Sequence, residues 1–547
     1  MPLISNKIPA WDTRKILNAL RAPGRRTTIQ ATASTQLPDT LHIVPGRPVQ
    51  HETVETAEIS ETSSADQGGI DLEKQLPEKT PVQITDDGES PSPDIDLGEA
   101  DLGGRNPSRF GRAYDAVTAF AGTRITFGFT LTCLIVWGIV GGVCGATDTW
   151  QIVLQDASSI QCYFSDSLLM RQQQKSTREL TTLICHLRSR SATCRRLVEG
   201  KLRQDNIESK VPNGPVEIEL EERLRDAIKL PTENILDVLS NWVALSFGSI
   251  FAFIVFWGGI IVWLAFGNKL AWGNEWQLYA NTATAAELTF TSMFLQNIRQ
   301  RHMTYLKDCL RSLIKADRQM EQRAREITGD AEPNPICQVA PEKITRGNRA
   351  IDYYASIVGS GVGLFISALV FIAWIAVGNT MEWNSNWWLI IGTYTGLVGF
   401  IDGFALRNVY FRETKGLDTY FQALAKEDGA LYDLLRIPPS TDALPAEDSI
   451  QYRISYGIGM ACSLPHSVLA SVVIVVALIC IASGLRWSVT GQLLCNTPTM
   501  IIEGFLLLVL MQAHNMSNRR RRAQLREILV RRLRINAQMQ RIWKDKK

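Results

Sequence analysis

Eight long apolar runs dominate this chain, at about 125–146, 151–170, 244–266, 277–297, 356–378, 387–405, 465–485 and 492–512. A hydrocarbon layer of about 30 Å takes roughly 20 apolar residues in helical form. Lipid offers no partner to an unpaired backbone group, so the runs are expected as helices. The expected fold class is an all-α polytopic membrane protein with about eight transmembrane helices. The run from Gln151 is the weakest, because it holds Gln155, Asp156, Gln161 and Asp166.

The runs fall into four pairs joined by short connections, such as 145-GATDTW-150 and 379-NTMEWNSN-386. The pairs repeat internally. Trp137 and Trp150, Trp263 and Trp276, and Trp374 and Trp387 are each thirteen residues apart. Trp272, Trp383 and Trp487 each stand five residues before Gln277, Trp388 and Gln492. The fourth unit lacks the first tryptophan pair but keeps a Q-L-x-x-N-T core. Each unit is expected to be a span, a tight hairpin, a second span and a polar amphipathic helix. An even number of spans makes the repeats parallel, around an axis along the membrane normal. The expected divisions are a tail at 1–110, repeats at 111–200, 236–330, 346–436 and 452–547, and linkers at 201–235, 331–345 and 437–451.

Charge sets the expected orientation. Residues 51–101 hold fifteen acids against Lys74 and Lys79, a composition that cannot bury a core, so the tail is expected to be disordered and cytosolic. No short apolar h-region opens the chain, so insertion is expected to rely on the first span. Basic residues follow the even-numbered spans, as in 298-IRQRH-302 and Arg519 to Arg522, while the hairpins are rich in Trp. Both termini are then expected in the cytosol. In the polar segment after Gln296, Leu306, Leu310, Leu313 and Ile314 have helical spacing, which suits a helix lying on the membrane or packing under the spans. The C-terminal arginines suit either anionic lipid or a plain positive-inside anchor.

The intramembrane acids carry the chemistry. Glu287 and Glu503 each precede a glutamine, Gln296 or Gln512, by nine residues and follow an N-T-x-T stretch. Asp166 and Asp402 each precede an arginine, Arg171 or Arg407, by five. A charge at mid-bilayer costs roughly 2.5–3.5 kcal/mol on the mildest scale, so four at matched positions imply a purpose. They are expected as metal ligands in two layers about 6 Å apart on four helices around one axis. The rival explanation is a structural ion pair with Arg171 or Arg407. The expected pathway lining is Asn281, Thr282, Thr284, Gln296 and Asn297, with Asn496, Thr497, Thr499, Gln512 and His514. Carboxylate, hydroxyl and amide oxygens suit hard to borderline divalent cations. The ten cysteines form no C-x-x-C. No P-loop, nucleophile elbow or Rossmann glycine pattern is present, so neither ATP-driven pumping nor enzyme chemistry is expected. No cofactor and no nucleic-acid partner is expected.

Gln277 to Met320, with N-T-A-T, E, L-Q-N, R-x-R-H and L-K-x-x-L-x-x-L-I-K, resembles the low-affinity iron permease family of fungi. Gln492 to Gln512, with C-N-T-P-T and I-I-E-G-F, is similar again. The resemblance runs from about residue 110 to the C-terminus and is diffuse in the first and third units. It implies low-affinity uptake of Fe(II) as substrate, with other divalent metals such as copper and zinc, at the plasma membrane, and the oxygen ligands are expected not to exclude Mn(II) either. The alternative is a membrane sensor or scaffold whose acids are structural.

Overall fold

The computed structural model of the chain describes residues 28–35, 109–205, 235–340, 343–438 and 450–543. One element order occurs four times. A helix of 13 residues comes first: α1 Arg109–Ala121, α4 Ile235–Phe247, α7 Arg346–Val358 and α10 Ile450–Cys462. An apolar helix of 17 to 21 residues follows: α2 Arg124–Cys144, α5 Ile250–Phe266, α8 Gly361–Gly378 and α11 Pro465–Gly484. A helix of 50 to 57 residues closes each unit: α3 Asp148–Gln204, α6 Asn274–Thr328, α9 Ser385–Leu434 and α12 Val489–Trp543.

The break before each apolar helix has a local cause. Thr123, Ser249 and Ser360 cap α2, α5 and α8, their hydroxyls accepting from Thr126 N, Ala252 N and Val362 N. Pro465 opens α11 in the turn where its missing N–H costs nothing. The apolar runs from 244 and 356 are therefore not continuous, and the axis turns by 66° between Asp237–Phe247 and Ile250–Phe266.

Paired indoles close three of the hairpins. In each pair, the two Nε1–H groups donate to the partner residue's backbone carbonyl. The lengths are 3.3 and 3.0 Å for Trp137 and Trp150, 2.8 and 2.9 Å for Trp263 and Trp276, and 3.0 and 2.8 Å for Trp374 and Trp387. The rings stack 3.8, 3.9 and 4.2 Å apart. A thirteen-residue spacing across a tight turn places two indoles face to face.

The four long helices form a closed ring in the order α3, α6, α12, α9. Their contacts advance together along both partners, from Gln155–Thr282 to Arg190–Asp317 and from Arg407–Leu506 to Gln538–Leu435, so the helices are parallel. The apolar helices pack outside this ring. Over their most apolar stretches, α2, α8 and α11 are only 6%, 11% and 22% buried, against 72% and 78% for α9 and α12. Ile135, Phe251, Ile254, Phe365 and Val473 point outward, exposed. Such a surface requires an apolar surrounding, and this is a membrane protein. Among the described residues, five helices can cross a membrane by length and composition, or six with the bent α4–α5 pair. Helices α3 and α6 fall short because they are surrounded by other helices, where polar side chains find protein partners instead of lipid.

The polar segments expected as separate amphipathic helices are instead the second halves of the long helices. Leu306, Leu310, Leu313 and Ile314 pack with Leu183, Leu187, Leu417, Phe421, Leu525 and Ile528 in a parallel four-helix bundle. Buried ion pairs cross it. Arg190 reaches Asp317 and Glu321 at 3.1 and 2.9 Å, and Arg532 reaches Asp317 and Asp428 at 3.2 and 3.1 Å. The C-terminal arginines are drawn into the same bundle: Arg520 and Arg521 pair with Asp418, and Arg531 with Asp428.

Part of the expected disordered tail is ordered. Strand β1, Ile29–Ala31, pairs antiparallel with β2, Cys337–Val339, and Ala33 N donates to Ser189 Oγ on α3. The acidic block at 51–101 lies outside the described residues.

Candidate functional site along the bundle axis

The ring encloses a file of polar side chains. Nearest the hairpins, Gln151 Oε1 accepts from Thr282 Oγ1 of the next level at 3.1 Å, while Gln277 Oε1 and Gln492 Oε1 are buried without a partner among the described residues. One turn deeper lie Gln155, Asp156, Asn281 and Asn496, each at most 3% exposed. Thr284 and Thr499 turn their hydroxyls back onto the carbonyls of Asn281 and Asn496, and Thr497 onto Leu493.

The four expected acids follow. Glu287 Oε1 accepts from Thr291 Oγ1 at 2.8 Å, and its Oε2 is buried without a partner among the described residues. Glu287 faces Gly504 of α12, where a Cβ would stand 2.5 Å from Oε2. Glu503 faces Gly399 of α9 in the same way, at 3.0 and 3.1 Å from its two oxygens. Each glycine makes room for a carboxylate from the neighbouring helix. Asp402 Oδ1 accepts from the Tyr354 hydroxyl at 2.5 Å, and Oδ2 has no partner among the described residues. Glu503 interacts electrostatically with Asp166, Asp402 and Glu287, so the four acids share one stretch of the axis. Among the described residues no three His, Cys, Asp or Glu side chains converge on a single metal-sized point.

The arginine pairings differ from those expected within each helix. Arg171 binds Asp115 on α1 at 2.6 Å and the Gly359 carbonyl at 3.3 Å, not Asp166. Arg407 does not take Asp402. It is fully buried, donates to Leu506 O at 2.8 Å and Gly403 O at 2.6 Å, and acts electrostatically on Asp166 and Glu503. A five-residue spacing on a helix turns the two side chains about 140° apart, so the partners come from neighbouring helices.

Below the acids, Gln296 Nε2 donates to Ser165 Oγ at 3.0 Å, and Gln512 and His514 are buried. His302 lies 5.4 Å from His514, ring to ring. Asn297 is not on the axis: its Oδ1 accepts from Ser240 Oγ of α4 and its Nδ2 donates to Gly122 O, so it pins the outer helices. Tyr354, His302 and the central position of Arg407 gave no signal in the sequence, since each reaches the axis through contacts between helices. Asp156 did give one. Aligned on the Q-L core, it stands beside the position of Asn281 and Asn496.

The family model described as low affinity iron permease matches residues 110–209, 236–339, 348–435 and 452–543. The chain is 52% identical over 431 residues to the low-affinity iron/zinc ion transport protein of Schizosaccharomyces pombe, covering 78% of this chain and 72% of that protein. It is 40% identical over 449 residues to the low-affinity Fe(2+) transport protein of Saccharomyces cerevisiae, covering 77% of this chain and 81% of that protein. No solved structure matches the chain.

Proposed function

Because this chain belongs to the low-affinity iron permease family, we propose that it carries Fe(II), and with it Zn(II), Cu(II) and Mn(II), across the plasma membrane through the axis of the long-helix ring. In this reading all eight apolar and long helices cross the bilayer, α3 and α6 shielded from lipid by their neighbours. The hairpins face outward, and both termini and the lower bundle lie in the cytosol, on the side of the basic residues. Metal is the substrate, and the lipid bilayer is the medium in which the outer helices sit.

The observation that carries the reading is that Glu503, Asp166 and Asp402 are buried and Glu287 is half-buried within one ring of parallel helices, with Glu287 Oε2 and Asp402 Oδ2 unpartnered among the described residues. Oxygen donors spread along an axis suit an ion that must enter and leave, since a permeating ion needs several weak sites and not one closed cage. Divalent affinity at such ligands rises towards copper, so discrimination is weak. One observation favours the alternative of structural acids for Asp166 and Glu503: their interaction with the buried Arg407.

The test is Fe(II) uptake, under reductant, into sealed vesicles holding the purified protein. Wild type should take up Fe(II), and excess Zn(II), Cu(II) or Mn(II) should compete. Glu287→Gln and Glu503→Gln should each cut uptake at least about tenfold, one charge–ion contact being worth a decade or more. Absence of flux in wild type would refute transport. Normal affinity and rate in both variants would remove these two acids from the pathway.

A further inference from the structure

The repeat places four residues at one level of the axis. Gln155, Asn281, Gly392 and Asn496 each stand four residues after Gln151, Gln277, Trp388 and Gln492, on α3, α6, α9 and α12. Three of the four are amides, and the fourth has no side chain. The gap at Gly392 is filled from the neighbouring helix. Asp156 Oδ1 lies 2.6 Å from the point where a Gly392 Cβ would stand, and Asn496 Nδ2 lies 3.9 Å from that point.

Polar groups at this level lack protein partners. Gln155 Oε1, Asp156 Oδ2, Asn496 Oδ1 and both polar atoms of Asn281 have none among the described residues, although the four side chains are at most 3% exposed. Buried polar atoms are ordinarily satisfied, so several left open at one level mark a place built for something else to bind. We propose that Gln155, Asp156, Asn281 and Asn496 form an outer cation site on the hairpin side of the four acids, where a divalent ion exchanges part of its water shell for protein oxygens before moving inward. This rests on the transport reading above.

The donor chemistry defines the ligand. One carboxylate and up to three amide carbonyls are hard oxygen donors, and they suit a divalent cation that keeps some of its waters. A single negative charge against a doubly charged ion keeps binding weak and exchange fast. Gly392 is the keystone, because a methyl group there would occupy the seat of the Asp156 carboxylate. With one acid and no His or Cys, the site escapes recognition as a cluster of titratable ligands.

Mn(II) binding to the purified full chain, followed by the loss of the aqueous Mn(II) paramagnetic resonance signal, tests the site directly and independently of flux. Asp156→Asn should weaken one class of bound Mn(II) about tenfold. Gly392→Ala, which keeps the charge but blocks its seat, should do the same. Both should raise the KM for Fe(II) uptake by a similar factor, with the maximal rate within about twofold. If Asp156→Asn does not fold, Asn281→Ala replaces it and should weaken Mn(II) about threefold. Wild-type Mn(II) affinity in Gly392→Ala, or in the folded variant at Asp156 or Asn281, would overturn the proposal. Wild-type vesicles that bind Mn(II) but take up no Fe(II) would overturn the transport reading and leave the outer site standing as a binding site.

Discussion

Arg407 shows how one residue holds the axis together. Its guanidinium is wholly buried beside carboxylates of α3 and α12, and Nη2 has no hydrogen-bond partner among the described residues. A buried charge is tolerated only with opposite charge at hand, and removing one partner of such a pair costs about 3–5 kcal/mol. Arg407→Gln should therefore destabilise the protein strongly. Adding Asp166→Asn should recover part of the loss, with a coupling of about 1–3 kcal/mol. Thermal unfolding of the two single variants and the double variant in detergent measures this. Strict additivity would show that the two groups do not interact. The same cycle with Asp402→Asn in place of Asp166→Asn should give a smaller coupling, because Asp402 is held by Tyr354.

Among the elements, the hairpins hold the clearest local strain. Ala271 and Trp272, Glu382 and Trp383, and Arg486 and Trp487 all have φ between 50° and 54°, at matching places in three repeats. Left-handed backbone costs a non-glycine residue about 1–2 kcal/mol. The turn is held because Trp272 N, Trp383 N and Trp487 N donate back to Gly267 O, Gly378 O and Ala482 O at 2.9 to 3.0 Å. Trp272 and Trp383 then pack edge-on against Trp276 and Trp387, at 4.8 and 4.5 Å. Glu382 is exposed and contributes little beyond its backbone. Glu382→Gly should raise stability by roughly 0.5–1 kcal/mol, the relief of strain exceeding the entropy glycine adds to the unfolded chain. A lower melting temperature for this variant would contradict the strain.

On the scale of the whole molecule, the N-terminal segment is fastened across the repeats. Strand β1 pairs with β2 from the stretch between the second and third repeats, and Asn334 Nδ2 donates to Ala33 O at 3.2 Å. Ala31, Val339 and the buried Cys185 of α3 form a small apolar cluster, with Cys337 against it. The Cys185 and Cys337 thiols interact. The contact between the two thiols, with help from Arg188, pulls the Cys337 thiol down to about 7 and pushes Cys185 up. Thiolate is the reactive form. Alkylation of Cys337 should accordingly rise with pH, reach half its maximum near pH 7 and level off where an ordinary thiol is still gaining. Deleting residues 1–35 should also make Cys185 reactive in the native protein. Mass spectrometry after brief labelling reads both. A Cys337 profile centred near 8.5, or a Cys185 still protected after the deletion, would count against this docking.

The sequence by itself determined the helical class, the hairpins and the fourfold unit, because apolar length, tryptophan spacing and the Q-L-x-x-N-T core are local or strictly repeated signals. It also marked the four acids, since a charge in an apolar run has no ordinary reason to be there. The N-terminal caps at Ser249 and Ser360 were missed, and they divide the runs at 244–266 and 356–378 that hydropathy alone joins. Tertiary structure decided which groups meet. The ring order α3, α6, α12, α9 is not the chain order, so Glu287 faces Gly504, Asp156 fills the gap at Gly392, and Arg407 turns from Asp402 towards Asp166. Asn297, matched to the pathway by spacing, faces outward for the same reason. Periodicity along one helix fixes a residue's face, but only the packing of four helices fixes what that face looks at.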